Sequence, residues 1–371
     1  MLIGVPKEIK SQESRVGLTP GSVRELVHHG HQVVVETYAG AGIGYQDDDY
    51  KNVGAKIVNT AADVFACADM IIKVKEPQKN ECLMLREGQI LFTYLHLAPD
   101  LQQTELLMAS GCTAIAYETV TDEQGGLPLL TPMSEVAGRM SIQAGARCLE
   151  ISQGGRGLLL GGVPGVSPAN VVVIGGGIVG TNAIRMALGM EARVTVLEKS
   201  LNRLRDLNMV FGARLNTIYS TEDALEYYLT IADLVIGAVL IPGAAAPKLI
   251  TRELLQSMKP GSVIVDVAID QGGCIETSRP TTHADPTYIE EGVVHYCVAN
   301  MPGAVAQTST HALNNATLPY TLQIANKGYK QAMLDNPHLL NGLNVHKNHL
   351  TIEAVARNLG KEYTPALEAL V

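Results

Sequence analysis

The sequence predicts an α/β protein of two doubly wound, Rossmann-like domains with mainly parallel sheets, joined by long helices. Three observations carry that prediction. Short unbroken apolar runs alternate with helical segments along the chain, as expected of parallel strands covered on both faces. The run Val171-Val-Val-Ile-Gly175-Gly-Gly177-Ile-Val-Gly180, then a helix, then Arg193-Val-Thr-Val-Leu-Glu198, forms a complete βαβ unit. Finally, 371 residues with 46% hydrophobic content exceed a single core, and length suggests about two domains.

Before the glycine run, strands are expected at Leu2–Val5, Val33–Glu36, Ile71–Val74, Ile90–Leu95 and Thr113–Tyr117, with a helix at Ser22–His29. The stretch Ser134–Glu150 has helical periodicity with Ser134 at its N-cap, and is long enough to bridge two domains. A Gly- and Pro-rich loop, Gly154–Pro168, precedes strands at 171–174, 193–197, 214–218, 234–239, 262–267 and 293–298. Residues 309–334 read as helix and 343–371 as a polar, short-helical tail folded back on the first domain. The domains are therefore expected to be 1–130 plus 308–371, which is discontinuous, and 131–307.

Each glycine of the fingerprint has a mechanical role. Gly175 permits the tight turn out of the strand, Gly177 lets the backbone approach a pyrophosphate, and Gly180 lets the helix lie close to the sheet. Glycine-rich turns also occur for structural reasons alone. Here the preceding strand, the following helix and Glu198, placed to accept both hydroxyls of an adenosine ribose, complete a dinucleotide site whose phosphates face a helix N-terminus.

The net charge of −9, without a basic block, argues against nucleic acid or an anionic membrane as partner and leaves small molecules. No apolar run approaches the length of a membrane span and the N-terminus enters a strand directly, so a cytoplasmic protein is expected. The six cysteines lack a CxxC pair and read as free, buried thiols. His28-His29-Gly30-His31 resembles a metal cluster by eye, but it lies at a helix end, where histidines complement the dipole.

Open parallel sheets bind ligands at the carboxyl ends of their strands. Four residues stand at such places: Arg15 in the loop after the first strand, Lys75 at the end of IIKVK, His96 at the end of ILFTYLH, and Asp270 after VIVDVAI. Singly, each has a plainer explanation: a solvated loop charge, a strand-end charge, a helix-entry histidine, a turn former. Together they form a chemical set. A guanidinium holds a carboxylate, an ammonium polarises a carbonyl and an imidazole passes protons, which suits a 2-oxo or 2-amino acid beside a nicotinamide.

The chain resembles the alanine dehydrogenases, of the alanine dehydrogenase/pyridine nucleotide transhydrogenase family, over its whole length. The resemblance rests on VPKEIKSQESRVGLTP (5–20), IIKVKEP (71–77), LFTYLHLA (91–98), PMSEVAGRMS (132–141), VVIGGGIVG (172–180), DVAIDQGG (266–273) and NMPGAVAQTST (300–310). It implies Arg15 and Lys75 as substrate ligands and His96 and Asp270 as catalytic residues. For the nucleotide it implies Ser134, Ile178, Val179, Glu198, Arg203, Ser220, Val239, Leu240, Val267, Ala268, Ile269, Asp270, Arg279, Val298, Ala299, Asn300 and Met301. A divalent-metal pair of some members falls on Gln323 and Lys327; a protonated lysine cannot ligate, so no metal is expected. The resemblance implies NAD as cofactor, L-alanine, pyruvate and ammonium as substrates, reversible oxidative deamination, closure of the two domains over the reacting groups, and a homohexamer. Two alternatives stay open: the nucleotide-binding component of a proton-translocating transhydrogenase, and a related amino-acid dehydrogenase with a larger substrate.

Overall fold

The computed structural model describes residues 1–239 and 246–370; Leu240 lies outside the described residues. The chain divides into two compact units, Met1–Met133 with Val305–Val371, and Ser134–Ala304. In chain order the strands are β1 (Leu2–Val5), β2 (Gln32–Glu36), β3 (Lys56–Val58), β4 (Met70–Ile72), β5 (Ile90–Thr93), β6 (Thr113–Ala116), β7 (Asn170–Ile174), β8 (Arg193–Glu198), β9 (Leu215–Tyr219), β10 (Leu234–Gly237), β11 (Val263–Asp266), β12 (Thr287–Glu290), β13 (Val293–Tyr296), β14 (Leu343–His346) and β15 (His349–Leu350).

In the first unit the order is β15-β14-β6-β5-β4-β1-β2-β3, parallel except where β14 meets β6 and β15. The second unit runs β12-β13-β11-β10-β7-β8-β9, with only β12 antiparallel. Leaving the antiparallel strands aside, both units have the doubly wound order 3-2-1-4-5-6. The order reverses between β1 and β4 in one and between β7 and β10 in the other. Loops leaving those strands diverge to opposite faces and open a crevice at the strands' carboxyl ends.

The central strands are apolar because helices cover both their faces. Met70–Ile72, Ile90–Thr93, Leu234–Gly237 and Val263–Asp266 are buried at every position. Separate apolar cores form around Phe65, Ile71, Leu91 and Leu107 in the first unit, and around Val172, Leu229, Val235 and Ile264 in the second.

Five local expectations are corrected. The first helix is Pro20–His28 rather than Ser22–His29, because the Thr19 side chain caps it and Pro20 pre-sets its first turn. The bridging helix is Thr131–Cys148, so Ser134 lies inside it and is not its N-cap; Pro132 starts the helix where its missing N–H costs nothing. The helical stretch expected over 309–334 is two helices, Ala306–Lys327 and Tyr329–Asp335, parted by Gly328 at φ +75°. The tail is not merely polar and helical. Leu343 and Val345 are fully buried and β14 pairs with β6, a short irregular strand that periodicity does not reveal. The cysteines are free, and Cys67 is exposed where burial was expected.

Gly180 shows how tightly the second unit is built. A Cβ there would collide with the Gly175 carbonyl oxygen, which is backbone and cannot yield cheaply. Gly180→Ala is expected to cost about 3 kcal/mol or more, read as a lowered urea midpoint with an unchanged denaturant slope.

Candidate functional site

In the first unit the switch point is built from charged groups. Glu8, in the loop after β1, accepts the N–H of Val74 at 2.6 Å and of Lys75 at 3.3 Å, and pairs with Lys73 Nζ at 2.8 Å. Glu81 holds the same ammonium at 2.8 Å, and all three side chains are buried. Burial opposes the charge on Lys73, but the two carboxylates outweigh it and hold the ammonium above its ordinary value. Burial pushes the Glu8 carboxyl up against the pull of Lys73. Because Glu8 takes the Val74 N–H, β4 stops at Ile72 rather than reaching Val74 as expected, and Lys75 stands beyond the strand.

Arg15 is 2% exposed rather than a solvated loop charge. Glu13 grips it in a fork, 2.7 Å from Nε and 2.6 Å from Nη2, while Nη1 meets Met133 Sδ at 3.1 Å. The pair fixes the plane of the guanidinium. That orientation is what bidentate recognition of a carboxylate requires.

His96 has φ +49°, a left-handed conformation that a non-glycine residue adopts only under constraint. The constraint is Glu118, on the turn after β6. Its carboxylate accepts the His96 N–H at 2.6 Å and the Leu95 N–H at 3.1 Å, and lies 3.9 Å from the His96 ring. The imidazole is stacked on Tyr94, with centroids 5.7 Å apart and planes 7° from parallel, and remains partly exposed. Glu118 was legible in principle. It follows β6 as His96 follows the neighbouring β5, so the strand-end rule that found His96 finds Glu118 too.

In the second unit Gly175 turns out of β7 at φ +97°, and a Cβ on Gly177 would meet only open space. Helix Ile178–Gly189 starts there with no side-chain cap, so its first N–H groups face outward. Open space beside uncapped N–H groups fits a pyrophosphate. Gly176 anchors both residues expected at the adenosine end. Its N–H is donated to Glu198 at 2.7 Å and its carbonyl accepts Arg203 Nε at 2.6 Å; Arg203 Nη2 also reaches Thr181 Oγ1 at 2.6 Å. Ser220 follows β9, its N–H on the Glu198 carbonyl at 3.1 Å, and Val239 follows β10.

Val267–Gln271 forms a 3₁₀ turn after β11, leaving Asp270 exposed at its end. The Asp270 carboxylate accepts the Asn300 N–H at 3.3 Å, which brings the 267–270 and 298–301 segments together. Arg279 lies over the Tyr288 ring at 4.1 Å. Ser134 is on the helix, half-buried, and Lys327 pairs with Asp335.

The Lys73 arrangement makes a testable demand. Lys73→Met would strand two carboxylates in the core, so a loss of about 3–5 kcal/mol is expected, seen as a fall in the thermal midpoint that Glu8→Gln in the same chain partly restores.

Residues 4–137 match the family described as Alanine dehydrogenase/PNT, N-terminal domain, and residues 141–353 match Alanine dehydrogenase/PNT, C-terminal domain. The chain is 60% identical to an alanine dehydrogenase of Halomonas elongata over 99% of both chains. It is 56% identical to that of Bacillus subtilis over 100% of this chain and 98% of the relative. A solved L-alanine dehydrogenase superposes with a TM-score of 0.94 at 54% identity, covering 97% of this chain and 99% of that one. A transhydrogenase from Sinorhizobium meliloti, 24% identical with a TM-score of 0.84 over 95% of this chain and 100% of that one, shares the fold. The chain therefore belongs to the alanine dehydrogenase/PNT family.

Proposed function

We propose that the chain is an NAD-dependent L-alanine dehydrogenase that interconverts L-alanine, water and NAD with pyruvate, ammonium, NADH and a proton. The observation that carries this reading is full-length identity of 60% and 58% to two alanine dehydrogenases, joined to Arg15, Lys75, His96 and Asp270 in the segments that follow β1, β4, β5 and β11. The unit Met1–Met133 with Val305–Val371 would hold the substrate and Ser134–Ala304 the nucleotide.

Arg15, oriented by Glu13, grips the substrate carboxylate, and Lys75 adds a second cationic contact and polarises the carbonyl of pyruvate. When bound, the nicotinamide supplies the hydride acceptor for the hydrogen on the alanine Cα. The alanine ammonium group first loses a proton to solvent, so hydride removal leaves the substrate as an iminium cation, which the Asp270 carboxylate favours. Water adds to the iminium carbon and gives its proton to His96. His96 then gives that proton to the nitrogen and takes the carbinolamine hydroxyl proton as ammonia leaves and the carbonyl of pyruvate forms; ammonia picks up that proton to depart as ammonium.

The test is the NADH absorbance band, appearing with alanine and NAD and disappearing with pyruvate and ammonium, run on four variants. Arg15→Ala and Lys75→Ala should raise KM for pyruvate, Lys75→Ala lowering kcat as well. His96→Ala should cut kcat by about a hundred-fold or more, and Asp270→Asn should cripple kcat while NADH fluorescence titration stays near wild type. Near-normal turnover in both His96→Ala and Asp270→Asn would overturn the assignment.

NAD is preferred over NADP in this reading, because Glu198, held by the Gly176 and Ser200 N–H groups, meets the ribose hydroxyls and repels a 2′-phosphate. Arg203 does little to relieve that repulsion, being tied to Gly176 and Thr181. Turnover per KM with NADPH should be at least about tenfold below NADH, one charged hydrogen bond's worth, and Glu198→Ser should narrow the gap.

We also propose a cytoplasmic homohexamer. Among the described residues no helix is long and apolar enough to cross a membrane. Light scattering should return about six times the 39.6 kDa chain mass; a monomer at micromolar concentration would remove the assignment.

A further inference from the structure

Asp266 ends β11, is 0% exposed, and has no part in the chemistry above. Its carboxylate is the centre of the loop that follows. Oδ1 accepts the Ala268 N–H at 3.1 Å and lies 3.6 Å from Cys274 Sγ; Oδ2 accepts the Cys274 N–H at 3.0 Å. Burial pushes this carboxyl above its ordinary value against the pull of the donors around it.

The surrounding glycines leave room for nothing larger. A Cβ on Gly273 would stand 2.6 Å from Oδ2, and one on Gly237 3.0 Å from Oδ1. Gly272 and Gly273, at φ +89° and +76°, turn the chain back so that the loop closes on the carboxylate at both ends. Asp270 sits between those two anchor points, at residues 268 and 274.

We propose that Asp266 is a positioning residue of the reaction: its buried carboxylate sets the conformation of the Val267–Cys274 loop and thereby the place of the Asp270 carboxylate. This rests on the reading of Asp270 above. The two anchoring N–H groups bind different oxygens, so an amide in place of the carboxylate satisfies one of them and turns an N–H₂ toward the other. Asp266→Asn therefore releases one end of the loop without changing its size.

The test is a double-mutant cycle on the full-length enzyme, with kcat, KM for pyruvate and NADH affinity measured per folded protein. Asp266→Asn is expected to lower kcat by about a hundred-fold, as a misplacement near 1 Å does, with KM for pyruvate within about twofold of wild type. In the Asp270→Asn background the same substitution should cost little more, because the group it positions is already disabled. A merely structural role would multiply the two losses, and that result, or a normal kcat in Asp266→Asn, overturns the proposal. If Asp266→Asn does not fold, Cys274→Ala removes a single side-chain donor to the carboxylate, the thiol 3.6 Å from Oδ1. It should give a smaller kcat loss that vanishes beside Asp270→Asn, and unchanged turnover would be equally fatal. Should Asp270→Asn itself turn over normally, the function assigned to Asp270 fails first, and the cycle separates that outcome from the others.

Discussion

The structure depends on how carboxylates take up the backbone N–H groups that lie beyond its parallel strands. A parallel strand runs off its carboxyl end into irregular chain, and each buried N–H left unpaired there would cost about 1–3 kcal/mol. Glu8 takes those of Val74 and Lys75, Glu118 those of Leu95 and His96, and Asp266 those of Ala268 and Cys274. Glu198 takes those of Gly176 and Ser200. Each carboxylate reaches a loop other than its own or folds its own loop round itself. The residues we assign to chemistry, Lys75, His96 and Asp270, are carried on the segments so held.

Buried charge in the first unit serves geometry more than stability. An ion pair taken out of water gains little net free energy, but breaking one is expensive, so the arrangement is held against alternatives. Lys73 ties the loop after β1 to the segment after β4 through Glu8. Glu13 locks the plane of Arg15, and Glu118 stabilises the left-handed backbone of His96. All three are partners that orient a neighbouring group.

Both units use the same strand order, and their switch points are equipped differently. In the second, the turn after β7 is glycine-rich and offers N–H groups at a helix start. In the first, the turn after β1 is the long polar segment containing Glu8, Glu13 and Arg15. In the function we propose, the turn after β7 takes phosphate by its backbone and that after β1 a carboxylate by its side chains. No sequence repeat marks this duplication of topology, because the order of strands depends on which faces their connections cross, not on shared residues.

The sequence by itself determined the α/β class, the βαβ glycine fingerprint with Glu198, and that Arg15, Lys75, His96 and Asp270 lie just after strands. Those are local signals: an apolar run long enough for a buried strand, a glycine where a Cβ would collide, a charge where a strand stops. Helix starts at Pro20 and Thr131 were misplaced by two or three residues because the apolar period begins later than the turn that proline pre-sets. Only the tertiary structure decided that β14 joins β6, that Arg15 is buried on Glu13, and that Glu118 and Asp266 hold the loops beside them. Glu8 lies 66 residues from the Val74 N–H it accepts, and Glu118 lies 22 from His96. A hydrogen bond between such distant residues leaves no periodicity in the chain; it exists because neighbouring strands in the sheet bring their carboxyl ends together.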